Sequence, residues 1–359
     1  MLAHFSTLPQ GGVVRTENEM DIQELNRIAN AMVAKGKGIL AADESSGTIK
    51  KRFDAINVAN TEENRRDYRE FMFHTPVMKD RISGVILFDE TIRQKAKDGT
   101  PLVDIIAATG AVPGIKVDAG AKPLAGHPGE TITEGLDGLR ERFQEYHKLG
   151  ARFAKWRATY DPSGGKPSEY CVRANAQALA RYAALAQENG IVPIVEPEVL
   201  MDYDNDIDVC AEVTEWVLKE TFQELYYASV FLEGIILKPN MIVPGKKAAK
   251  QASVEEVADY TVEVLMNCVP AAVPGIAFLS GGQSDEDATA HLNAMNANYD
   301  LPWALTFSYG RALQAAPQKA WGGKTENVAA GQAAFTHRAC MNGLASTGDW
   351  KPELEKKAA

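Results

Sequence analysis

Eight times between about residue 38 and about residue 310, a short apolar, β-branched run is followed by a longer amphipathic one. The short runs predict strands at Gly38 to Asp43, Ile82 to Phe88, Val112 to Val117, Phe153 to Arg157, Val192 to Glu196, Gly234 to Lys238, Gly275 to Leu279 and Ala304 to Phe307. Their apolar bodies are continuous, as parallel strands covered on both faces require. The runs between them carry helix signals. Ser253-x-x-Glu256 is a capping box, with Val254, Val257, Ala258, Thr261 and Leu265 following on one face. Ser168 opens a run that closes at Asn189-Gly190, and Leu136, Leu139, Phe143 and Tyr146 form a stripe ending at Gly150. Eight βα units in about 250 residues predict an α/β chain closed into a (β/α)8, or TIM, barrel with N-terminal and C-terminal helical extensions. Residues 1–359 are read as one such domain. Within it, 341–359 is expected to be a mobile tail, since Gly343, Ser346, Gly348 and a charged run to Lys357 offer little to pack.

The net charge of −10 leaves no basic excess to displace phosphate counterions, so nucleic acid is not an expected partner. Cys171, Cys210, Cys268 and Cys340 are far apart and form no CxxC pair, which suits free thiols in a reducing compartment. No apolar run approaches the ~18 residues a bilayer span needs, and residues 1 to 25 lack a basic region followed by an apolar core. A cytoplasmic protein without a membrane partner is the expectation.

In a barrel of this kind the reacting groups stand at the carboxyl ends of the strands. Lys238 closes the run Gly234-Ile235-Ile236-Leu237 just before Pro239, which ends the ladder. An apolar strand beneath an amine disfavours its charged form, and a neutral amine can attack a carbonyl to give a Schiff base. The plain alternative is a lysine whose stem packs while its ammonium reaches water. Its company favours the chemical reading. Lys155 and Arg157 end the fourth run, and Glu196 and Glu198 end the fifth, so Glu196 stands between two lysines where it can shuttle protons. Asp43 ends the first run and can act on a substrate hydroxyl. Ser280-Gly281-Gly282 and Ser308 with Gly310-Arg311 follow strands seven and eight, where such barrels bind phosphate through loop amides, and Arg311 adds a forked donor. Ser45, Thr48 and Arg52 after the first run and Lys116 after the third, placed at the other side of the mouth, suit a second phosphate. The loop Gly245-Lys246-Lys247 reads as a solvated turn.

Competing motifs are incomplete. Gly323-Lys324-Thr325 resembles the end of a P-loop, but Gln318 replaces its first glycine and no strand precedes it. Gly36-x-Gly38 lacks the third glycine of a dinucleotide fingerprint, and no serine lies in a G-x-S-x-G elbow. The six histidines form no HxxxH pair, so no metal site is expected.

Gly38-Ile39-Leu40-Ala41-Ala42-Asp43-Glu44-Ser45, Phe153-Ala154-Lys155-Trp156-Arg157, Val195-Glu196-Pro197-Glu198, Leu237-Lys238-Pro239-Asn240-Met241, Phe278-Leu279-Ser280-Gly281-Gly282-Gln283-Ser284 and Phe307-Ser308-Tyr309-Gly310-Arg311 occur in this order. This series resembles the class I fructose-bisphosphate aldolases from about residue 20 to about residue 340. The resemblance implies a metal-independent, cofactor-free barrel enzyme of glycolysis that forms a homotetramer and cleaves fructose 1,6-bisphosphate reversibly into dihydroxyacetone phosphate and glyceraldehyde 3-phosphate. It implies Lys238 as the Schiff-base lysine, Glu196 as the acid and base for carbinolamine dehydration beside Lys155, and Asp43 as the group on the C4 hydroxyl. It implies phosphate sites at Ser280, Gly281, Gly310 and Arg311 and around Ser45, Thr48, Arg52 and Lys116, with Arg157, Glu198 and Ser308 in support. A preference for fructose 1-phosphate or sedoheptulose 1,7-bisphosphate stays open, as does a non-catalytic sugar-phosphate scaffold. Two departures stand out. Many family members end in a tyrosine that assists proton exchange on the enamine, whereas no tyrosine follows Tyr309 here, and Thr48 stands where serine is usual.

Overall fold

Apolar strands that pair in parallel must bury both faces, and here closure on themselves does so. The computed structural model describes residues 20–357. Its parallel strands are β1 (Gly38–Ala42), β2 (Ile82–Leu87), β3 (Val112–Lys116), β4 (Phe153–Tyr160), β5 (Val192–Val199), β6 (Ile236–Leu237), β7 (Gly275–Phe278) and β8 (Ala304–Tyr309). They form a closed barrel in sequence order, sealed by β8 pairing with β1 through Ile39 opposite Ser308 and Leu40 opposite Tyr309. The expected (β/α)8 architecture is therefore the observed one.

Side chains alternate along each strand. Leu40, Val85, Ile115, Ala154, Val195, Leu237 and Phe278 point outward into the layer beneath the surrounding helices. Ile39, Ile86, Phe153, Val192, Ile194, Ile236 and Ala277 point inward and fill the amino-terminal half of the barrel. Gly114 is needed there, because a Cβ on it would lie 2.3 Å from the Phe153 ring. The helix Ile22–Met32, capped by Asp21 at its start, lays Leu25, Ile28, Ala29 and Met32 across this plug and closes that end.

The capping box at Ser253 and Glu256 forms, and Ser168 caps the helix Glu169–Glu188, which stops at Asn189 before left-handed Gly190. Strand limits shift from expectation. β4 and β5 run on together until Tyr160 pairs with Val199, so Arg157 and Glu196 lie inside strands rather than at their last residue, and Glu198 lies within a strand rather than past its end. β6 is shorter than expected, because Leu232–Gly234 is wound into a 3-10 turn. An unforeseen antiparallel hairpin, Ala121–Pro123 with Thr131–Thr133, follows β3.

The mobile tail expected over 341–359 needs correction as far as Lys357. Residues to Ala345 complete the helix Val328–Ala345, and Ala345 is buried. Beyond it the Trp350 amide donates to Asn293, and Glu355 accepts from Arg338 Nη1 at 2.7 Å and from the Trp350 indole at 3.1 Å. Of the residues read as disorder signals, Gly343 is a buried helical residue, while Ser346 and Gly348 lie in the turn after the helix, with Gly348 left-handed. Residues 358–359 lie outside the described residues. No described helix is long and apolar enough to cross a membrane.

Candidate active site

The inward positions that are hydrocarbon at one end of the barrel become charged at the other. On β4, Phe153 is followed two residues on by Lys155, and on β5, Ile194 is followed by Glu196. Just past β6, the Lys238 amide donates to the Val195 carbonyl at 2.8 Å, which keeps Lys238 in strand register beside Glu196. Four side chains then make one chain of contacts. Lys238 Nζ lies 3.1 Å from Glu196 Oε1, Glu196 Oε2 lies 3.3 Å from Lys155 Nζ, and Lys155 Nζ lies 2.9 Å from Asp43 Oδ2. Lys238, Glu196 and Lys155 are only 4%, 3% and 5% exposed, so these charges compensate one another with little help from water.

The electrostatics follow from that packing. Burial pushes the Asp43 carboxyl up, but the Lys155 and Lys238 ammonium groups outweigh it and hold it at about 2. Burial also opposes charge on Glu196, yet Lys155, Lys238 and Arg157 keep its carboxyl below the ordinary carboxylate range. Burial disfavours the Lys155 ammonium, and Asp43 and Glu196 reverse that and raise it above an ordinary lysine. Lys155 is thus a fixed cation that holds two carboxylates ionised. Glu196 Oε2 and Ser308 Oγ, both buried, have no hydrogen-bond partner among the described residues.

A cavity of about 460 Å³ opens over this chain. Every candidate catalytic or phosphate-binding residue read from the sequence lines it. Ser45 caps the helix Ser46–Asp54, with its hydroxyl 3.2 Å from that of Thr48, while Arg52 on the same helix pairs with Glu44. Lys116 pairs with Asp118 at 3.1 Å, and Arg157 with Glu198. Ser280 and left-handed Gly281 follow β7, and Gly310 precedes the helix Arg311–Trp321. Arg311 is already engaged, with Asp285 at 2.9 Å and with the Gln283 carbonyl.

One placement changes. Because β8 closes on β1, the Ser45 to Arg52 group neighbours the Gly310 loop and is not opposite it. A Cβ on Gly310 would lie 3.7 Å from Arg52 Nη2. Lys116 alone of that group stands across the mouth, on β3 beside Lys155. Sequence reasoning also passed over Asp118, Glu44 and Lys246, all of which line the cavity. Asp118 lies two residues past Lys116, the same spacing that links Glu196 to Glu198, and that period was the available signal.

The family model described as fructose-bisphosphate aldolase class-I matches residues 24–359. The chain belongs to the class I fructose-bisphosphate aldolases. A probable class 1 fructose-bisphosphate aldolase of Xanthomonas campestris is 59% identical over 333 residues, spanning 92% of this chain and 100% of the relative. A cytosolic fructose-bisphosphate aldolase of Arabidopsis thaliana is 55% identical over 91% of each chain. The solved structure of the Plasmodium falciparum fructose-bisphosphate aldolase, in complex with TRAP and a small-molecule inhibitor, superposes with a TM-score of 0.90 at 49% identity, covering 92% of this chain and 95% of that one. Class I aldolases act on sugar phosphates through a lysine Schiff base without a metal, and the aldolase barrel here presents buried lysines at its mouth.

Proposed function

We propose that this chain cleaves fructose 1,6-bisphosphate reversibly to dihydroxyacetone phosphate and glyceraldehyde 3-phosphate, with Lys238 as the covalent nucleophile. The observation that carries the reading is the unbroken chain Lys238–Glu196–Lys155–Asp43 beneath a cavity of about 460 Å³. Glu196, at 3.1 Å, takes the Lys238 ammonium proton and frees the amine to attack the C2 carbonyl. The attacking nitrogen, now positively charged, gives up one proton as the carbonyl oxygen gains one, leaving a neutral carbinolamine. Glu196 then returns a proton to that hydroxyl, which leaves as water, and the iminium forms. Asp43, kept ionised by Lys155, accepts the C4 hydroxyl proton as the C3–C4 bond breaks. Its electron pair passes into the iminium, giving an enamine and releasing the aldehyde. Protonation at C3 and readdition of water at C2 return the amine.

Ser280, Gly281, Gly310 and Arg311 hold the phosphate next to Lys238, and Arg52 and Lys116 hold the distal one, with Ser45 and Thr48 beside Arg52. Arg157, Glu198 and Ser308 support the substrate between them. No metal or other cofactor enters this scheme. Residues 1–359 act as one barrel domain, in the cytoplasm as for the cytosolic Arabidopsis relative, and as a homotetramer whose contacts cover exposed apolar residues such as Tyr226, Tyr227 and Met266.

Borohydride added with substrate should leave a reduced adduct on the peptide carrying Lys238, found by mass spectrometry, and EDTA should leave the cleavage rate unchanged. Full activity in Lys238→Met, or abolition by EDTA, would end the proposal.

A further inference from the structure

Three loops that follow adjacent strands meet at the rim of the mouth. Met201 and Asp202 follow β5, Gly245 to Lys247 follow β6, and Ser280 to Gly282 follow β7. The first two are joined by backbone hydrogen bonds, from the Lys246 amide to the Met201 carbonyl at 2.8 Å and from the Lys247 amide to the Tyr203 carbonyl at 2.9 Å. This fixes where Lys246 starts and sends its side chain over the third loop. A Cβ on Gly282 would lie 2.0 Å from Lys246 Nζ and 1.8 Å from its Cε, so the ammonium occupies the space directly above that glycine. The lysine expected to be a solvated turn residue is part of the cavity wall.

Both anion-binding groups at this spot have weak partners. The Gly282 amide donates to the Met201 thioether at 2.9 Å, and sulfur is a poor acceptor. Lys246 Nζ pairs at 2.9 Å with Asp202, a carboxylate 65% exposed, and an ion pair so open to water adds little. Arg311, the other cation of the rim, is tied to Asp285 and the Gln283 carbonyl. A phosphate oxygen arriving at the Ser280 to Gly282 loop therefore displaces a thioether and a solvated carboxylate, and gains a backbone amide and an ammonium in their place.

Resting on the aldolase reading above, we infer that Lys246 is a further substrate-binding residue, contacting the phosphate held at the Ser280 to Gly282 loop, with Asp202 and Met201 as the groups that give way. That phosphate is the one nearest the Schiff-base carbon, so fructose 1,6-bisphosphate and fructose 1-phosphate both carry it.

Steady-state cleavage of both sugars by the parent, Lys246→Met, Lys246→Arg and Lys247→Met proteins tests this. Lys247 is a matched control because it carries the same charge and does not line the cavity. Lys246→Met should raise KM about tenfold for both sugars while kcat changes less than about twofold, Lys246→Arg should recover most of the loss, and Lys247→Met should match the parent. An unchanged KM in Lys246→Met, equal losses in Lys246→Met and Lys247→Met, or a loss confined to the bisphosphate would overturn the assignment. Calorimetric titration with inorganic phosphate reads the same contact without turnover. A parent protein that binds phosphate through Lys246 but neither cleaves the sugars nor forms a borohydride adduct would sink the aldolase reading alone.

Discussion

Along β4 the inward side chains run Phe153, Lys155, Arg157, and along β5 they run Val192, Ile194, Glu196, Glu198, so each strand changes from hydrocarbon to charge partway along. Below the change, Phe153 fills the space left by Gly114, and the helix Ile22–Met32 covers the end. Above it, two lysines and two carboxylates are packed nearly as deeply, and the cavity opens over them. The lower half is held by shape and the upper half by compensation of charge. The first supplies the dry floor that makes the second strong, since an ion pair over hydrocarbon is screened far less than one in water.

The two halves should separate under mutation, and the largest separation belongs to the charged half. Glu196→Gln should lower kcat by about two to four orders of magnitude and slow borohydride trapping, while circular dichroism still reports a folded barrel. A kcat within a few-fold of the parent would remove Glu196 from the proton route. Phe153→Ala should do the reverse. It should cost about 3 to 5 kcal/mol in urea unfolding while leaving kcat near that of the parent below the new transition, and a drop in kcat as severe as that of Glu196→Gln would show that the plug also shapes the site.

The smallest effect is electrostatic and lies in acid. The Asp43 carboxyl is held at about 2, below its ordinary unfolded range. A depressed carboxyl adds stability above the unfolded value, and that stability drains away as pH falls toward the folded one. Between about pH 4 and about pH 2 the parent should thus lose about 2 kcal/mol that Asp43→Asn does not lose, as read from urea midpoints at several pH values. Parallel acid profiles for the two proteins would mean that Asp43 is not held ionised by Lys155.

The barrel was legible because its period is coarse: eight apolar runs survive errors of several residues at each boundary. The site was legible for the same reason, since Lys238, Glu196, Lys155 and Asp43 each sit near a run's end, and barrel closure brings such ends together. What was not legible depends on contacts between distant loops. Lys246 looks like any basic turn residue until the Met201 and Gly282 loops are placed around it. Arg52 appears remote from Gly310 because 258 positions separate them in the chain, and only the pairing of β8 with β1 makes them neighbours. The C-terminal segment reads as loose because its anchors, Asn293 for Trp350 and Arg338 for Glu355, lie outside it.

The two-residue alternation on β5 has a consequence for folding. If β5 slipped by one residue against β4, Val195 would turn into the barrel, and Glu196 and Glu198 would turn into the hydrocarbon layer under the helices. Neither carboxylate would meet a lysine there, and each unpaired buried charge would cost several kcal/mol. Substitutions that neutralise the mouth therefore do more than silence chemistry. They also weaken the penalty that rejects a misaligned barrel while the chain is still assembling.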